Sequence, residues 1–313
     1  MKTKIAVILV TYNRLEKLKI ALKCYDNQIK AIEEMIIVDN CSNDGTKEFL
    51  ENWCREEGKY KKSVLHLAEN TGGAGGFGAG MDLALERINA KKLDAEWLLV
   101  SDDDAFPEVD ALEKLCEYYE KLSDAEKKNV AALSSTVINH GKIHEAHRSR
   151  IEKKCFSVKF VGVDSSEYRK EAFDIDLFSY VGTMIKVSSL KKVGTTNKDL
   201  FIYGDDNEHS FRIKRTGKLI CVSNSKFIHD TPGVENRAIG WHNYYNRRNQ
   251  LYILKQYFPK RYLFMRLIKR YILDVSFISK NSKDERNLFR NAHKDALNNR
   301  LGKHVLYKPG FHF

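Results

Sequence analysis

Glu96-Trp97-Leu98-Leu99-Val100-Ser101-Asp102-Asp103-Asp104 is an apolar run of strand length that stops at three consecutive carboxylates. A short, continuous apolar run bounded by turn signals reads as a strand covered on both faces. Three similar runs precede it. Ile5–Val10 ends at Thr11-Tyr12-Asn13-Arg14, and Glu34–Asp39 is closed by Asn40-Cys41-Ser42-Asn43-Asp44-Gly45. Ser63–Leu67 leads into Asn70-Thr71-Gly72-Gly73-Ala74-Gly75-Gly76-Phe77-Gly78. Helical patterns fill the gaps, over about Leu15–Gln28, Thr46–Glu57 and from the glycine-rich loop to Asn89. Strand and helix in alternation predict parallel βαβ units, hence an α/β fold with a doubly wound sheet and helices on both faces. Such sheets bind ligands beyond the carboxyl ends of their strands, and all four polar clusters fall there.

Beyond Asp104 the pattern loosens. It predicts a helix over 108–128, mixed short strands and loops over 130–195, and acids leading into a helix over 203–217. A strand over Leu219–His229 and a mainly helical tail from Gly240 complete the chain. We therefore expect one domain over 1–235, with a nucleotide-binding half at 1–104 and an acceptor half at 105–235. A basic helical region over 236–313 follows.

The 313 residues carry a formal charge of +11. Residues 231–313 hold 17 Lys and Arg against 5 Asp and Glu, so the whole basic excess lies in the tail. Such asymmetry points to an anionic partner. Phe264, Leu267, Ile268, Tyr271, Ile272, Val275 and Ile278 recur at helical spacing, interleaved with Lys260, Arg261, Arg266, Lys269 and Arg270. That is the pattern of a basic amphipathic helix lying in a lipid headgroup layer. A helix packing its stripe on the main domain, or on a second copy in a homo-oligomer, has the same pattern. No nucleic-acid recognition motif is present, and nucleic acid is not an expected partner. No apolar run nears the ~20 residues of a membrane span, and Ile5–Val10 is too short for a secretory signal. Six cysteines without a CxxC pair read as reduced thiols in a cytosolic protein.

Each motif has a plain alternative. Gly73-Ala74-Gly75-Gly76-Phe77-Gly78 matches G-x-G-x-x-G, which in a first βα unit signals a dinucleotide-binding oxidoreductase. Here it lies in the third unit, where it reads as close backbone approach to a phosphate or sugar, or as a hinge. Adjacent carboxylates at Asp102–Asp104 raise one another's pKa, and a hard divalent cation is their natural counter-charge. The alternative is a solvated turn. In Tyr203-Gly204-Asp205-Asp206-Asn207-Glu208, Asp205 and Glu208 could form a capping box, which leaves Asp206 as a candidate general base. His229, closing a strand, is a metal ligand or an ordinary hydrogen-bonded histidine. His140, His144 and His147 lack an acid or Cys partner in sequence and read as loop residues.

Together these motifs resemble the family 2 glycosyltransferases of the GT-A fold, over most of residues 4–230. Val10–Arg14 is similar to the family's opening strand and loop. Val38-Asp39-Asn40 with Ser42 and Asp44-Gly45-Thr46 resembles its base-binding loop, Asp102–Asp104 its DxD motif, and Asp205-Asp206-x-Glu208 its catalytic-base segment. Gly204 stands where an aromatic is usual. Within the family, Asn70–Phe77, His229 paired with the three acids, and Asn246-Arg247-Arg248-Asn249 resemble the galactofuranosyltransferases; rhamnosyltransferases share much of this outline. No Q-x-x-R-W stretch of the membrane-embedded synthases is present.

The resemblance implies a GT-A (Rossmann-like), mostly parallel sheet and an inverting, metal-dependent transfer. The donor would be UDP-galactofuranose, or dTDP-rhamnose in the alternative. The acceptor would be a lipid-linked surface glycan, met at the inner face of the cell membrane. Thr11, Tyr12, Asn13, Arg14, Asp39 and Asn40 would line the nucleotide pocket, with Asp102 near the ribose and Asp103 beside the donor. Asn70, Gly72, Gly73, Ala74, Gly76 and Phe77 would face the donor sugar. Asp102, Asp104 and His229 would hold Mn2+ or Mg2+, a histidine ligand leaning toward Mn2+. Asp206 would act as base, and Tyr180, Gly182, Asp205 and Glu208 would hold the acceptor. An NAD(P)-binding oxidoreductase and a non-catalytic membrane adaptor are the readings from other classes.

Overall fold

Seven β-branched or aliphatic-rich residues, all buried, make strand β1 (Ile5–Thr11), an interior strand of the sheet. Around it the computed structural model, which describes residues 3–231, 238–311 and 313, builds the predicted βαβ series. Helix α1 (Leu15–Asp26) leads to β2 (Glu34–Asp39), α2 (Thr46–Trp53) to β3 (Lys61–His66), and α3 (Gly72–Asn89) to β4 (Trp97–Asp102). These four strands are mutually parallel. Helices α1 and α2 end earlier than their patterns predict, and α3 starts inside the run read as a loop.

The second half continues the same sheet. It comprises β5 (Ala105–Pro107), α4 (Ala111–Lys121), α5 (Asp124–Asn129), β6 (Val130–Asn139), β7 (Lys142–Ile143), β8 (Arg148–Lys153) and β9 (Val158–Gly162). Then come β10 (Ala172–Ile175), β11 (Leu177–Phe178), β12 (Thr183–Lys186), α6 (Val187–Val193), α7 (Asp205–Ile213) and β13 (Lys218–His229). The helix expected over 108–128 is two, because Ser123 and Glu126 form a capping box that starts α5 afresh. The sheet order is β10-β13-β6-β12-β4-β1-β2-β3, with β12 antiparallel between β4 and β6. One apolar core lies on each face. A small antiparallel sheet, β11-β8-β9, stands apart.

The tail is α8 (Trp241–Tyr257), α9 (Lys260–Arg270), a π turn over Tyr271–Val275 and α10 (Lys283–Leu297). The single amphipathic helix predicted to reach Ile278 is thus broken. Val275 and Asp274 turn inward, while Phe277 and Ile278 stand exposed on the turn that follows. The expected boundary between 235 and 236 lies outside the described residues. The tail is nonetheless packed into the body: Phe201 joins Tyr244, Tyr245, Leu288 and Tyr307 in one cluster. Arg248, fully buried, donates to the carbonyls of Leu200 and Gly302. The Asn249 amide donates to those of Leu200, Ile202 and Tyr203 at 2.8–2.9 Å.

Candidate active site

Strand register brings the acids together. Thr11 lies opposite Asp39, Asp39 opposite His66, and Val10 opposite Asp102, all at the carboxyl ends of adjacent parallel strands. Antiparallel pairing of β5 with β13 sets His229 across from Ala105, and the Asp230 amide donates to the Asp104 carbonyl at 2.8 Å. Asp102, Asp104 and His229 thereby place one ligand atom each within 4.8 Å of one another.

The three carboxylates are not alike. Asp103 is buried and accepts from Thr11 Oγ1 at 2.7 Å and Arg14 Nη1 at 3.0 Å. Burial still raises its pKa to about 6. Asp104 is also buried, but the nearby His229 and Arg14 outweigh burial and hold it below the ordinary range. Asp102 is pushed well above that range by burial, then by Asp104 and Asp103. Arg14 is the one cation bound to the triplet among the described residues, at 3.0 Å from Asp103 and 2.6 Å from Asp104. Asp104 Oδ1 is buried with no hydrogen bond among the described residues; His229 Nε2 stands 3.3 Å from it without hydrogen-bond alignment. An orphaned carboxylate oxygen with a second carboxylate and an imidazole beside it fits a divalent cation such as Mn2+ or Mg2+.

Helix α7 supplies the second pair of acids. Gly204, at φ +78°, caps it, and Phe201 and Tyr203 before it also have positive φ, a conformation costly for side-chain-bearing residues. Asp205 and Asp206 occupy its first turn, where the helix dipole favours anions. Burial raises Asp206 to about 6, against the opposing pull of the Asn207 amide and of Arg148. Asp205 is raised to about 8 by burial and by Asp206. Arg148 is wholly buried, with its guanidinium spread over the carbonyls of Ser135, His147 and Val181 at 2.6–2.9 Å. A cavity of about 520 Å³ opens beside α7, lined by Tyr203, Gly204, Asn207, Gln250, Phe160 and Arg266 among others.

Several residues expected at the site also have structural duties. A Cβ on Gly76 would stand 2.6 Å from Val10, and Phe77 is core, ring to ring with Tyr180 at 4.5 Å. Ala74 is buried, its amide bonded to the Phe201 carbonyl. The glycines of α3 therefore bring helix to sheet rather than forming an open loop. Gly72, at φ +73°, abuts Phe201, whereas Gly73 faces open space. Asn40 is spent on Thr71, Asn70 and Gly72, and Asn70 in turn holds the Gly72 amide. Asp39 is 2% exposed and bonded to the Ser42 amide and His66. Asn13 ties its own loop to Ser42 and Asn43, leaving Tyr12 exposed beside it.

On the acceptor side, Tyr180 is buried between Thr196 and His209, and a Cβ on Gly182 would strike Phe227. Glu208 is locked to Arg212 and Tyr257, and no capping box forms. Asp102, Asp104 and His229 come together, Thr11 and Arg14 bond to Asp103 and Asp104, and Asp205 and Asp206 sit side by side in the first turn of α7. The sequence pattern does not mark Arg148, because its partners are backbone carbonyls; Asn249 belongs to the Asn246–Asn249 motif, but its bracing of the 200–203 carbonyls is visible only in the fold.

Among proteins of known sequence, 218 residues of this chain align at 25% identity with galactofuranosyltransferase GlfT1 of Mycolicibacterium smegmatis. The match covers 68% of this chain and 66% of that relative, so the chain spans just under two thirds of its length. GlfT1 of Mycobacterium tuberculosis aligns at 25% over 232 residues, covering 69% of this chain and 66% of its own. Among solved structures, GalNAc-T7 with UDP, GalNAc and Mn2+ superposes with a TM-score of 0.61 at 15% identity, over 95% of this chain and 56% of that one. Residues 1–349 of S. aureus TarS with UDP give 0.59 at 16%, over 94% and 80%. These likenesses establish a GT-A architecture. The profile of glycosyl transferase family 2 matches residues 6–194, well over half of the chain, and this protein is a member of that family.

Proposed function

We propose that this glycosyltransferase moves galactofuranose from UDP-galactofuranose to a hydroxyl of a lipid-linked surface glycan, inverting the anomeric centre with a divalent cation bound. The carrying observation is the buried Asp104 Oδ1, without a hydrogen bond among the described residues and set with Asp102 and His229 at the carboxyl edge of the sheet. A buried acceptor without a partner costs roughly 1–3 kcal/mol. Mn2+ or Mg2+ held there would neutralise the diphosphate of the departing nucleotide. Arg14, fixed across Asp103 and Asp104, adds a permanent positive charge on the same edge.

Asp206 is the base in this reading. Its raised pKa suits it to take a proton from an acceptor hydroxyl, and buried Arg148 keeps it from rising further. The acceptor enters through the cavity beside Gly204 and Asn207, which Arg266 lines from α9. The galactofuranose donor rests on the kinship with the GlfT1 relatives and on the motifs shared with that branch. UDP bound in structures of the same fold supports the nucleotide.

The acceptor's lipid carrier rests on the tail surface. Phe264, Ile268, Tyr271, Ile272, Leu273, Phe277 and Ile278 are exposed, with Lys260, Arg261, Lys269 and Lys280 exposed among them. Among the described residues no helix is long and apolar enough to cross a membrane, so contact with an anionic bilayer would be peripheral.

Calorimetric titration with UDP and dTDP, with and without Mn2+, tests the site. Metal-dependent UDP binding that disappears in Asp104→Ala is the expected result. A preference for dTDP would transfer the proposal to rhamnose, and absence of binding to either nucleotide would overturn it.

A further inference from the structure

The stretch read as an ordinary loop carries two histidines that fold back onto the end of β13. His147 Nε2 lies 3.2 Å from His144 Nδ1 and 3.3 Å from His229 Nδ1. The rings stand nearly perpendicular, at 85° and 81°, with centroids 4.5 and 4.9 Å apart. One ring nitrogen from each of the three lies within 4.8 Å of the others. Ligands about 2.0–2.1 Å from a tetrahedral zinc stand roughly 3.4 Å from one another, close to the two spacings that His147 makes here. Ser179 Oγ sits 2.7 Å from His147 Nδ1, where it can accept the ring N–H and leave the lone pair on Nε2. Without a cation, that one lone pair is contested by two neighbouring Nδ1 atoms. A cation at the centre would take a lone pair from each ring.

We propose that His144 Nδ1, His147 Nε2 and His229 Nδ1 form a second metal site, suited to a borderline ion such as Zn2+ rather than to Mg2+. The site excludes the neighbouring one. A neutral imidazole has one lone pair, and His229 faces Asp104 with Nε2 and His147 with Nδ1. Committing Nδ1 to zinc turns an N–H toward Asp104 and removes the histidine from the Asp102–Asp104 set. Zinc is then an inhibitor of the catalytic cation's binding. This inhibitory consequence rests on the function proposed above; the binding does not.

The experiment is cobalt titration of the metal-stripped full chain, followed by visible absorption and by equilibrium dialysis. The expected result is the intense absorption of four-coordinate cobalt in the wild type and in Asp104→Asn. It should be lost in His144→Gln and in His147→Gln. His144 is the less buried of the two, so His144→Gln carries the test if the other variant fails to fold. In transfer assays at fixed Mn2+, His144→Gln should keep zinc-free activity and raise the zinc concentration for half-inhibition by about 10- to 100-fold. Cobalt absorption that survives His144→Gln, or that vanishes in Asp104→Asn alone, would overturn the site. A normal cobalt site in a chain that transfers no sugar would instead overturn the proposed function.

Discussion

Asp206 and Arg148 illustrate how one residue's chemistry is set by another that does not touch it through a hydrogen bond. Burial lifts Asp206 to about 6, and the Arg148 charge opposes that rise. A general base works deprotonated. In the wild type kcat should therefore fall about tenfold per pH unit below about 6 and level off above it. Asp206→Asn should lower kcat by roughly 10²–10⁴-fold with UDP affinity intact, and abolish this acid limb. An Asp206→Asn enzyme that still turns over with the wild-type pH profile would remove Asp206 from the chemistry.

Asp103, raised to about 6 by burial despite its pairing with Arg14, acts on stability with the opposite sign from an acid whose pKa is lowered on folding. The folded state binds its proton more tightly than the unfolded chain, so the cost of burying the charge appears as pH rises from about 4 through 6. At the proposed metal site Mn2+ would offset neighbouring carboxylate charge, so it should raise the melting temperature more at pH 8 than at pH 5, as measured by calorimetry. The juxtaposition of Asp102, Asp104 and His229 was foreshadowed in the sequence because these residue types close apolar strands, and Asp206 by the acid run that opens α7. The partners of Asn40, Tyr180 and Glu208, which are Gly72, His209 and Arg212, are visible only in the fold.

At the scale of elements, α3 and β6 depart most from the sequence pattern. Glycines signal a loop, but along α3 they let the helix lie close on the sheet. An added Cβ would meet Val10 at Gly76 and Ile8 at Gly80, each at 2.6 Å, and nothing at Gly73. Gly76→Val should cost roughly 1–3 kcal/mol of unfolding free energy by overpacking. Gly73→Ala should stay within about 0.5 kcal/mol. Denaturant titration of both variants decides between packing and loop. Strand β6 was hidden by Ser134, Ser135 and Thr136, three hydroxyls in its buried middle. They are satisfied across neighbouring strands by Thr183, Ser225 and the Ser223 carbonyl, at 2.7–3.0 Å. Polar residues whose partners lie about 50 to 90 positions away look like loop until the sheet is assembled.

For the whole molecule, the uneven charge is the feature most directly readable from sequence. The structure divides it: Arg266 bonds the Val158 carbonyl and Arg270 pairs with Asp274, leaving the lysines and Arg261 outside. The full chain should float with vesicles containing anionic lipid, and less so as salt rises. Phe277→Asp should weaken flotation without changing UDP affinity. Equal flotation on neutral vesicles would point to apolar contact alone, and none on either would leave the face for another partner.

The grip of Asn249 on Leu200, Ile202 and Tyr203 also bears on how this chain can be recombined. The strained backbone before Asp206 is held by a helix that begins some 35 residues later, beyond the last strand of the sheet. Chimeras joined after that strand would pair one parent's 200–206 segment with another parent's brace. Crossovers that keep 200–203 and 241–302 from the same parent leave that match intact, so exchange of acceptor specificity between relatives should succeed with those segments inherited together.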